Sequence, residues 1–496
     1  MTKIYNIEEL MELSGVKFGT SGARGLADKM TDEVCYAYTV AFLQHLEESN
    51  NIDPACQVAI AGDLRPSSPR ICAAVAKAIE DKGYSPLYCG EIPAPAIAYY
   101  GILNSIPSVM VTGSHIPDDR NGIKYNTPVG EILKEDEQGI RRQNVSIPEG
   151  LCKENGFFST AYELEKPYQA AEDIYIQRYT DFYDEQALAG LNLGVYEHSA
   201  VGRDTLKRIY SALGANVRGL GRSTKFIPVD TEAIRPEDCE LALDWCKNGG
   251  YDALLSTDGD SDRPLISDEK GHWLRGDVAG ILTAQHLGAD VVATPVSCNS
   301  AVELCQSFKK VSRTQIGSPY VIASMKEASA SGGKMVVGYE ANGGFLTNSA
   351  LVEEGKALAA LPTRDAVILH ISILLEAKKR GLSVSGLVKT LPERYTISNR
   401  IKEFPTEQSK AKLATFVESK FADNANKIEA VFGELCGAVE AIDTTDGIRI
   451  SFENLEIIHL RPSGNAPELR CYNEASSEKR ALELNELCIE IMSDWR

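Results

Sequence analysis

Residues 57–90 read QVAIAGDLRPSSPRICAAVAKAIEDKGYSPLYCG, and this stretch decides the fold class of the chain. The apolar run around Val58 and Ile60 predicts a buried strand that leads into a polar loop. The small and apolar residues that follow, up to Ile79, recur at helical spacing, and Gly83 is placed to end that helix as its C′ residue. A second short strand closes the unit. Strand, loop, helix and strand in this order are typical of an α/β domain.

The same unit recurs twice further along the chain. Residues 193–221 read LGVYEHSAVG, RDTLKRIYSALGA and NVRGLG, and residues 291–317 read VVATPVSCNS, AVELCQSFKK and VSRTQIG. In each copy we expect a short strand, a helix of about three turns and a segment ending at Gly. Three copies at wide spacing predict three homologous α/β domains, since a solenoid would have a shorter period. Ligand loops should lie at the carboxyl ends of the strands.

The last part of the chain has a different pattern. From residue 387 onward it combines strand-like segments at 396–401 and 447–452 with a helical stretch at 409–424, which predicts an α+β domain. We therefore predict four domains, with these limits: 1–172, 173–276, 277–384 and 385–496. Helices near the domain limits are expected at these positions: 175–188, 278–287 and 368–379.

Composition narrows the class of protein. A chain of 496 residues is too long for one core and should form about three or four domains. The net charge of −19 argues against nucleic acid or an anionic membrane surface as a partner. Twelve scattered Cys without a C-x-x-C pair, and an acidic start that does not read as a secretory signal, predict reduced thiols in the cytoplasm. No apolar run reaches the length that a membrane span requires.

A serine follows the strand predicted at 108–111 in the first domain. Residues 109–125 read VMVTGSHIPDDRNGIKY, in which Ser114 lies between Gly113 and His115, and Lys124 follows ten residues later. A serine at the carboxyl end of a buried strand, beside these side chains, is a candidate nucleophile or phosphate carrier. An N-cap serine in an αβ connection fits the same pattern.

The acidic segment YDALLSTDGDSDRPL, residues 251–265, predicts a metal site. Alternate residues of an extended loop point the same way, so Asp258, Asp260 and Asp262 can converge on one cation. Oxygen ligands alone select Mg²⁺ or a similar hard ion. A metal with an open position there would accept an oxygen of a phosphorylated Ser114.

The same segment also matches part of an EF-hand loop. The three aspartates and Glu269 occupy its positions 1, 3, 5 and 12. Arg263, however, stands where that loop needs Gly, and the preceding segment reads as a strand instead of a helix. The EF-hand interpretation is therefore excluded, and Arg263 is placed to meet an anion at the metal.

Two further glycine-rich loops are candidates for ligand binding. KFGTSGARG, residues 17–25, offers backbone N–H groups and Arg24 to an anion. In GYEANGGF, residues 338–345, Glu340 and Asn342 form a carboxylate and amide pair suited to neighbouring sugar hydroxyls. An ordinary turn remains open for each of these two loops.

The loop RPSGNAPELR, residues 461–470, has the donors needed to surround a phosphate. Guanidinium, hydroxyl, amide and backbone groups occur together in an otherwise acidic protein, which favours phosphate binding over a plain surface turn. The residues concerned are Arg461, Ser463, Gly464, Asn465 and Arg470.

Together and in this order, GTSGARG, TGSHIP with NGIKY, DGDSDR, GYEANGGF and RPSGNAPELR resemble the motifs of the α-D-phosphohexomutase superfamily. The resemblance extends over essentially the whole chain. It implies three homologous α/β domains with mixed, mostly parallel sheets, and a C-terminal α+β domain, around a central active-site cleft. It also implies Mg²⁺ as the metal and a hexose 1,6-bisphosphate as activator and intermediate.

The resemblance assigns expected roles to the candidate residues. Ser114 would carry the phosphoryl group and bind the metal together with the three aspartates. Arg24, His115 and Arg263 would stabilise the transferring group, and Lys124 would transfer protons, with Arg263 as a second candidate. Glu340 and Asn342 would bind sugar hydroxyls. The phosphate that does not react would be held by Arg461, Ser463, Gly464, Asn465 and Arg470.

This sequence departs from the family pattern in three loops. TGSHIP stands where T-A-S-H-N-P is usual, so Ile116 replaces an amide side chain. The sugar loop, usually G-E-x-S-G, has Asn342 in place of Ser. The phosphate loop has Asn465 and Ala466 where Thr and Glu are common. Ser114 and His115 are retained, so these departures concern the substrate more than the chemistry.

The expected reaction moves a phosphoryl group between the 6- and 1-positions of a hexose monophosphate. The overall similarity of TGSHIP and GYEANGGF to the family motifs favours mannose 6-phosphate as the substrate, with glucose phosphates as further substrates. The nearest alternative is a phosphoglucosamine mutase. A metal-dependent sugar-phosphate phosphatase would not need the phosphate loop, and a non-catalytic sensor would not need Ser114 and the aspartates. The expected ligands are small hexose phosphates. The protein is expected to be a monomer or a homodimer.

Overall fold

The computed structural model describes residues 3–19, 22–418, 420–463 and 467–495. The chain forms two compact units. The first comprises Met1–Ala289 and Gly317–Leu387, and the second comprises Asp290–Ile316 and Val388–Arg496.

A seven-stranded mixed sheet forms the core of the N-terminal part. The elements there are β1 (Lys3–Asn6), α1 (Ile7–Ser14), β2 (Lys17–Phe18), β3 (Ala23–Leu26), α2 (Asp32–Glu48), β4 (Gln57–Gly62), α3 (Ser68–Asp81), β5 (Ser85–Tyr88), α4 (Ala94–Asn104), β6 (Ser108–Val111), β7 (Arg120–Thr127), β8 (Gly130–Glu131), α5 (Lys134–Arg141) and β9 (Asn144–Ile147). The sheet order is β2-β3-β7-β6-β4-β5, and β8 pairs with β7. Strand β4 is parallel to both β5 and β6, whereas β7 is antiparallel to β6.

Residues 57–90 form the predicted strand–helix–strand unit. Helix α3 buries Ile71, Val75 and Ile79 completely between the sheet and α2. Each such side chain stabilises the fold by about 1.5–3 kcal/mol relative to exposure. Gly83 follows the C-cap residue with a φ of 87°, a conformation that glycine adopts without a steric penalty. The parallel register of β4 with β5 places the loops after both strands at one edge of the sheet.

A four-stranded sheet follows. Its region contains α6 (Ala170–Thr180), β10 (Asn192–Tyr196), α7 (Arg203–Ala212), β11 (Asn216–Leu220), α8 (Pro236–Gly249), β12 (Ala253–Thr257) and β13 (Pro264–Ile266). The sheet order is β11-β10-β12-β13, with β13 antiparallel to β12. The helix predicted at 175–188 is wrong at both ends, because α6 starts earlier and stops at Thr180. Asp184 then accepts a hydrogen bond from the N–H of Gln186 at 2.8 Å, a local turn that competes with helix.

The third repeat is divided between the two units. Its elements are α9 (Gly276–His286), β14 (Val291–Pro295), α10 (Ala301–Leu304), β15 (Lys310–Thr314), α11 (Ser318–Ala330), β16 (Val336–Tyr339), β17 (Phe345–Thr347), β18 (Leu351–Glu353), β19 (Lys356–Leu358) and α12 (Ala366–Arg380). In the second unit β14 and β15 are parallel, and in the first unit β16 and β17 are antiparallel. The three-turn helix predicted in this copy is wrong, since α10 has four residues. Gln306 adopts a φ of 52°, which turns the chain out of the helix.

The C-terminal part is α+β, as predicted. Its elements are α13 (Val384–Val388), β20 (Tyr395–Lys402), α14 (Thr406–Ala414), α15 (Phe421–Cys436), β21 (Val439–Asp443), β22 (Ile448–Phe452), β23 (Ile457–Pro462), β24 (Glu468–Ala475) and α16 (Glu478–Ser493). The antiparallel sheet has the order β20-β24-β23-β22-β21. The single helical stretch predicted at 409–424 is wrong, because two helices occur with a break after Ala414. The Thr415 hydroxyl donates to the carbonyl of Lys412 at 2.7 Å at that break.

Buried polar contacts fasten residues 290–316 to the C-terminal part of the second unit. Asn299 Nδ2 donates to the carbonyl of Arg394 at 2.9 Å, and the N–H of Ser300 donates to Glu474 at 3.0 Å. Buried hydrogen bonds of this kind are costly to leave unmade, so they fix the attachment of the segment.

Candidate active site

Ser114 lies in the loop between β6 and β7, and its side chain is fully buried. Its Oγ donates a hydrogen bond to Asp258 Oδ2 at 2.6 Å, and its N–H donates to Thr112 Oγ1 at 2.7 Å. The next element along the chain is strand β7, so the N-cap interpretation of Ser114 is wrong. Ser114 also has a φ of 58°, a left-handed conformation that is uncommon for a residue with a side chain. Strain of this kind is frequent at functional sites.

The three aspartates of the acidic loop converge beside Ser114. The acidic loop follows strand β12, and Ser261 adopts a left-handed conformation in this loop, with a φ of 61°. One carboxylate oxygen from each of Asp258, Asp260 and Asp262 lies within 4.8 Å of the others, and all three residues are buried. Among the described residues, Oδ1 of Asp260 and Oδ1 of Asp262 have no hydrogen-bond partner. Buried carboxylate oxygens in this arrangement fit a hard divalent cation.

Cationic side chains surround the aspartates. Lys124 Nζ donates to Asp260 Oδ2 and to Asp262 Oδ2, both at 2.6 Å. Arg263 Nε lies 3.9 Å from Asp258 Oδ2 and 3.8 Å from Asp262 Oδ1. These two cationic side chains therefore offset part of the negative charge of the acidic loop.

Neighbouring charges shift the pKa values of Asp258 and Asp262 in opposite directions. Burial raises the pKa of Asp258 well above its usual value, and the neighbouring carboxylates Asp260 and Asp262 raise it further. Burial also acts to raise the pKa of Asp262, but Arg364 and Lys124 outweigh it and hold that pKa below its usual range. A group of three buried carboxylates thus resists carrying three negative charges. A bound divalent cation would remove that resistance.

His115 faces the same loop as a neutral base. Its Nδ1 lies 2.8 Å from Arg263 Nη1 and 3.3 Å from Ser114 Oγ. A guanidinium only donates hydrogen bonds, so Nδ1 is the acceptor and the proton resides on Nε2. Burial, reinforced by the charge of Arg263, lowers the pKa of His115 to about 3. Burial likewise lowers the pKa of Arg24 to about 10, with Arg263 adding to the effect, so Arg24 stays charged at neutral pH.

The predicted sugar loop follows β16 and is held as a tight turn. The N–H of Glu340 donates to the carbonyl of Gly344 at 3.0 Å, and Asn342 Oδ1 accepts from the N–H of Gly344 at 2.9 Å. Thr231 Oγ1 donates to the carbonyl of Asn342 at 2.6 Å. The amide oxygen of Asn342 is therefore used to build the turn.

Arg364 connects the sugar loop to the acidic loop. Its Nε donates to Asp262 Oδ2 at 2.9 Å, and its Nη1 donates to Glu340 Oε2 at 3.2 Å. All three side chains are buried. The structure thus brings Ser114, His115, Lys124, the three aspartates, Arg263 and Glu340 into one network within the first unit.

The predicted phosphate loop lies in the second unit, at the β23–β24 connection. Arg461 and Arg470 are directly opposite each other on the two strands. Arg461 Nε donates to Asp446 Oδ1 at 2.8 Å, and Arg470 Nη2 lies 3.6 Å from Glu468 Oε2. The buried Ser463 donates its N–H to the carbonyl of Glu468 at 2.8 Å. Gly464 and Asn465, also predicted here, lie outside the described residues.

Two arginines of the site were missed in the sequence. Arg364 precedes α12 in the stretch LPTRDAV, and Arg65 lies in the loop LRPSSPR after β4. The sequence did offer a signal for Arg65, because its loop follows a buried strand that ends at the same edge of the sheet as the strand before Ser114. Arg364 has no glycine-rich or acidic neighbourhood, and its role depends on a partner 102 residues away.

Comparison with known proteins identifies the family. Four family models match in succession and are described as phosphoglucomutase/phosphomannomutase domains: α/β/α domain I at residues 15–149, α/β/α domain II at 173–271, α/β/α domain III at 275–395 and the C-terminal domain at 411–490. The chain belongs to the phosphoglucomutase/phosphomannomutase family of the α-D-phosphohexomutase superfamily. It is an enzyme of the phosphohexomutase class, an isomerase that works by phosphoryl transfer.

Curated relatives extend over nearly the whole chain. The chain is 44% identical to a phosphomannomutase of Salmonella muenchen, over 98% of this chain and 97% of the relative. It is 43% identical to a phosphomannomutase of Sinorhizobium fredii, over 94% of this chain and 96% of the relative. A phosphoglucosamine mutase of Thermotoga sp. is 26% identical, over 78% of this chain and 85% of the relative.

Solved structures share the fold. A putative phosphomannomutase from Thermus thermophilus gives a TM-score of 0.73 at 18% identity, covering 96% of this chain and 99% of the other. An N-acetylphosphoglucosamine mutase from Aspergillus fumigatus, in complex with GlcNAc-6P and magnesium, gives 0.61 at 13% identity, covering 99% of both chains. The predicted fold class is confirmed. In the part of the chain that the structure describes, no helix combines the length and apolar character that would let it cross a membrane.

Proposed function

We propose that this enzyme interconverts mannose 6-phosphate and mannose 1-phosphate, and accepts glucose phosphates as further substrates. The choice of mannose is supported by the two relatives named phosphomannomutase, which are 44% and 43% identical to nearly the whole chain. The relative named phosphoglucosamine mutase is only 26% identical. The single observation that carries the mechanism is the position of Ser114 Oγ, 2.6 Å from Asp258 in the buried aspartate cluster.

The proposed chemistry is a phosphoryl exchange through phosphoserine. The free hydroxyl oxygen of the hexose monophosphate attacks the phosphorus carried by Ser114. The new oxygen–phosphorus bond forms as the bond to Ser114 Oγ breaks, the hydroxyl proton passes to the proton-transfer residue, and Ser114 Oγ takes up a proton. The hexose 1,6-bisphosphate then turns over, and Ser114 Oγ takes the phosphoryl group from the other position. Added hexose 1,6-bisphosphate primes an unphosphorylated enzyme by the same second half-reaction.

The residues around Ser114 are suited to this exchange. Arg263 and Arg24 present positive charge to the oxygens of the transferring group, and electrostatic stabilisation of this kind is the main catalytic device in phosphoryl transfer. Neutral His115 donates from Nε2, because its Nδ1 is occupied by Arg263. We assign the proton transfers to Lys124, whose Nζ lies in the same network and would act in its neutral form when it takes the hydroxyl proton, with Arg263 as a second candidate.

The metal proposed for the aspartate cluster is Mg²⁺. Asp258, Asp260 and Asp262 would hold it together with an oxygen of phospho-Ser114, since all four are hard oxygen ligands. When bound, it would neutralise charge on the phosphoryl oxygens. The buried carboxylate oxygens without hydrogen-bond partners among the described residues support this assignment.

Two loops are proposed to bind the rest of the substrate. Glu340 and Asn342 bind sugar hydroxyls. Arg461, Ser463, Gly464, Asn465 and Arg470 bind the phosphate that is not being transferred. Arg461 and Arg470 lie directly opposite each other on neighbouring strands, so both guanidinium groups are placed to contact one phosphate. We also propose domain limits at 1–172, 173–276, 277–384 and 385–496. A cytoplasmic location is proposed because all twelve cysteines are free. The proposed oligomeric state is a monomer or a homodimer.

An isomerisation assay tests the proposal. The purified protein is incubated with Mg²⁺ and a catalytic amount of hexose 1,6-bisphosphate on mannose, glucose and glucosamine 6-phosphates in parallel. We expect rapid conversion of the mannose compound, slower conversion of the glucose compound and little of the glucosamine compound. Release of inorganic phosphate without isomerisation would reject the mutase mechanism. Preferred conversion of the glucosamine compound would reject the proposed substrate alone.

A further inference from the structure

The side chain of Arg65 lies against the backbone of the Ser114 loop. Arg65 is buried in the loop between β4 and α3. Its Nη2 donates to the carbonyl oxygen of Ser114 at 2.9 Å and also bonds to the carbonyl oxygen of Ile116. Its Nη1 pairs with Asp63. One guanidinium therefore holds two carbonyl groups of the loop that carries the proposed phosphoserine.

Asp63 extends the same network to the other side of Ser114. Thr112 Oγ1 donates to Asp63 Oδ2 at 2.7 Å and accepts the N–H of Ser114 at 2.7 Å. The N–H of Ser114 is thus anchored through Thr112 and Asp63, and its carbonyl is anchored by Arg65. Because Ser114 has a φ of 58°, its backbone needs such external bonds to keep this conformation.

Gly113 leaves the space in which Arg65 lies. A Cβ atom on Gly113 would be 2.7 Å from Arg65 Cζ and 2.8 Å from its Nε. The φ of Gly113 is not in the left-handed region, so space and not backbone conformation requires glycine here. Arg65 cannot withdraw easily, because the ring of Phe226 covers its guanidinium with the centroid 4.1 Å from Cζ. A methyl group at residue 113 would therefore push Arg65 off the Ser114 carbonyl.

We propose that Arg65 is a positioning residue for phosphoryl transfer, and that Gly113 and Arg65 act as one steric pair. By holding the carbonyl groups of Ser114 and Ile116, Arg65 fixes the direction in which Oγ points toward the aspartate cluster. A displacement of the order of 1 Å at a reacting atom costs roughly 100-fold in rate. This inference rests on the proposed function of Ser114 as phosphate carrier.

A double-mutant cycle tests the pair. Gly113→Ala should lower kcat by roughly 100-fold while KM changes by less than about threefold, since substrate binding groups are untouched. Arg65→Ala should lower kcat to a similar extent. Adding Gly113→Ala to Arg65→Ala should change kcat by less than about threefold, because the atoms that clash are gone. Gly386→Ala is the matched control, since its Cβ would meet neighbours only at 3.5 Å, in ordinary contact, and we expect normal turnover.

A second readout separates positioning from folding. Ser114 phosphorylation by hexose 1,6-bisphosphate, followed by intact-protein mass spectrometry, should reach the wild-type end point in Gly113→Ala but at a rate lowered by the same factor as kcat. A normal rate with a reduced end point would mean lost folded protein and would overturn the inference. An equal loss from Gly113→Ala with and without Arg65 would also overturn it.

Two further outcomes are decisive. If Arg65→Ala does not fold, Gly113→Ser in the otherwise unchanged protein must lower kcat more than Gly113→Ala, and equal, normal values for both would overturn the pair. If the wild-type protein neither isomerises hexose phosphates nor becomes phosphorylated on Ser114, the proposed function itself fails. Failure of the proposed function is thus distinguished from failure of the Gly113 and Arg65 pair, because it is seen with the wild-type protein alone.

Discussion

Arg364 Nε lies 2.9 Å from Asp262 Oδ2, and the opposite end of the same guanidinium reaches Glu340 Oε2 at 3.2 Å. This buried side chain joins the loop proposed to bind the metal to the loop proposed to bind the sugar. Burial acts to lower the pKa of Arg364, but Asp262 and other carboxylates outweigh it and raise that pKa well above its ordinary value. Arg364 therefore stays charged and pairs with both carboxylates, of which Asp262 also bonds Lys124.

Truncation of Arg364 should cost both stability and activity. Arg364→Ala leaves Asp262 and Glu340 buried without their guanidinium, and breaking a buried pair costs about 3–5 kcal/mol. Urea denaturation measures the loss. Arg380→Ala is the control, because Arg380 forms a partly exposed pair with Glu376 at 2.6 Å and should cost about 0–1 kcal/mol. Equal losses for the two variants would contradict the bridging role.

Lys124→Met should separate turnover from metal binding. Removing the ammonium that bonds Asp260 and Asp262 at 2.6 Å leaves the cluster more negative, so Mg²⁺ should bind at least as tightly as in the wild type. Loss of the proposed proton carrier should lower kcat by roughly 100- to 10,000-fold. Calorimetric titration with Mg²⁺ and the isomerisation assay are the two measurements.

A surface lysine provides the control for this variant. Lys77 pairs with Asp81 at 2.6 Å on α3, far along the chain from the aspartate cluster, and Lys77→Met should leave both measurements unchanged. If Lys124→Met loses Mg²⁺ affinity and keeps its turnover, the roles assigned to Lys124 and to the aspartates are wrong.

The sequence predicted the proposed catalytic and metal-binding residues better than it predicted the arginines that hold them in place. Ser114 and the aspartates each lie within one short segment at the end of a buried strand, so local pattern and spacing identify them. Arg65 and Arg364 act through partners 49 and 102 residues away. The loop of Arg65 does follow a buried strand, but nothing local distinguishes Arg364 from a surface arginine. The helix predicted at 409–424 is wrong for a local reason instead, since the Thr415 hydroxyl donates to the carbonyl of Lys412 where the first helix ends.

Stability should fall as the pH decreases from neutral, in part because of His370. Its Nε2 donates to the carbonyl of Leu265 at 3.2 Å, so its Nδ1 accepts from the Tyr210 hydroxyl at 2.7 Å. Burial lowers the pKa of His370 from 6.5 to about 3. Below pH 6.5 the unfolded chain binds a proton that the folded chain excludes until about pH 3, so stability is lost as pH falls in that window.

The His370→Gln variant tests this contribution. Glutamine can still donate to Leu265 but does not titrate, so the variant should lose about 2 kcal/mol less than the wild type between pH 7.5 and pH 5. Urea denaturation at both pH values gives the difference. His272→Gln, at an exposed imidazole, is the control and should follow the wild type. Equal pH slopes for His370→Gln and the wild type would show that His370 does not contribute.

The central claim is that Ser114 carries the phosphoryl group, and the most direct test is phosphorylation of Ser114→Ala and wild-type protein by ³²P-labelled hexose 1,6-bisphosphate, with turnover measured on the same samples. The wild type should retain one labile label per chain that chases into hexose phosphate. Ser114→Ala should retain none and lose turnover by roughly 1,000-fold or more, while still binding mannose 6-phosphate. Near-normal turnover of Ser114→Ala, or a label that remains on the variant, would contradict the account.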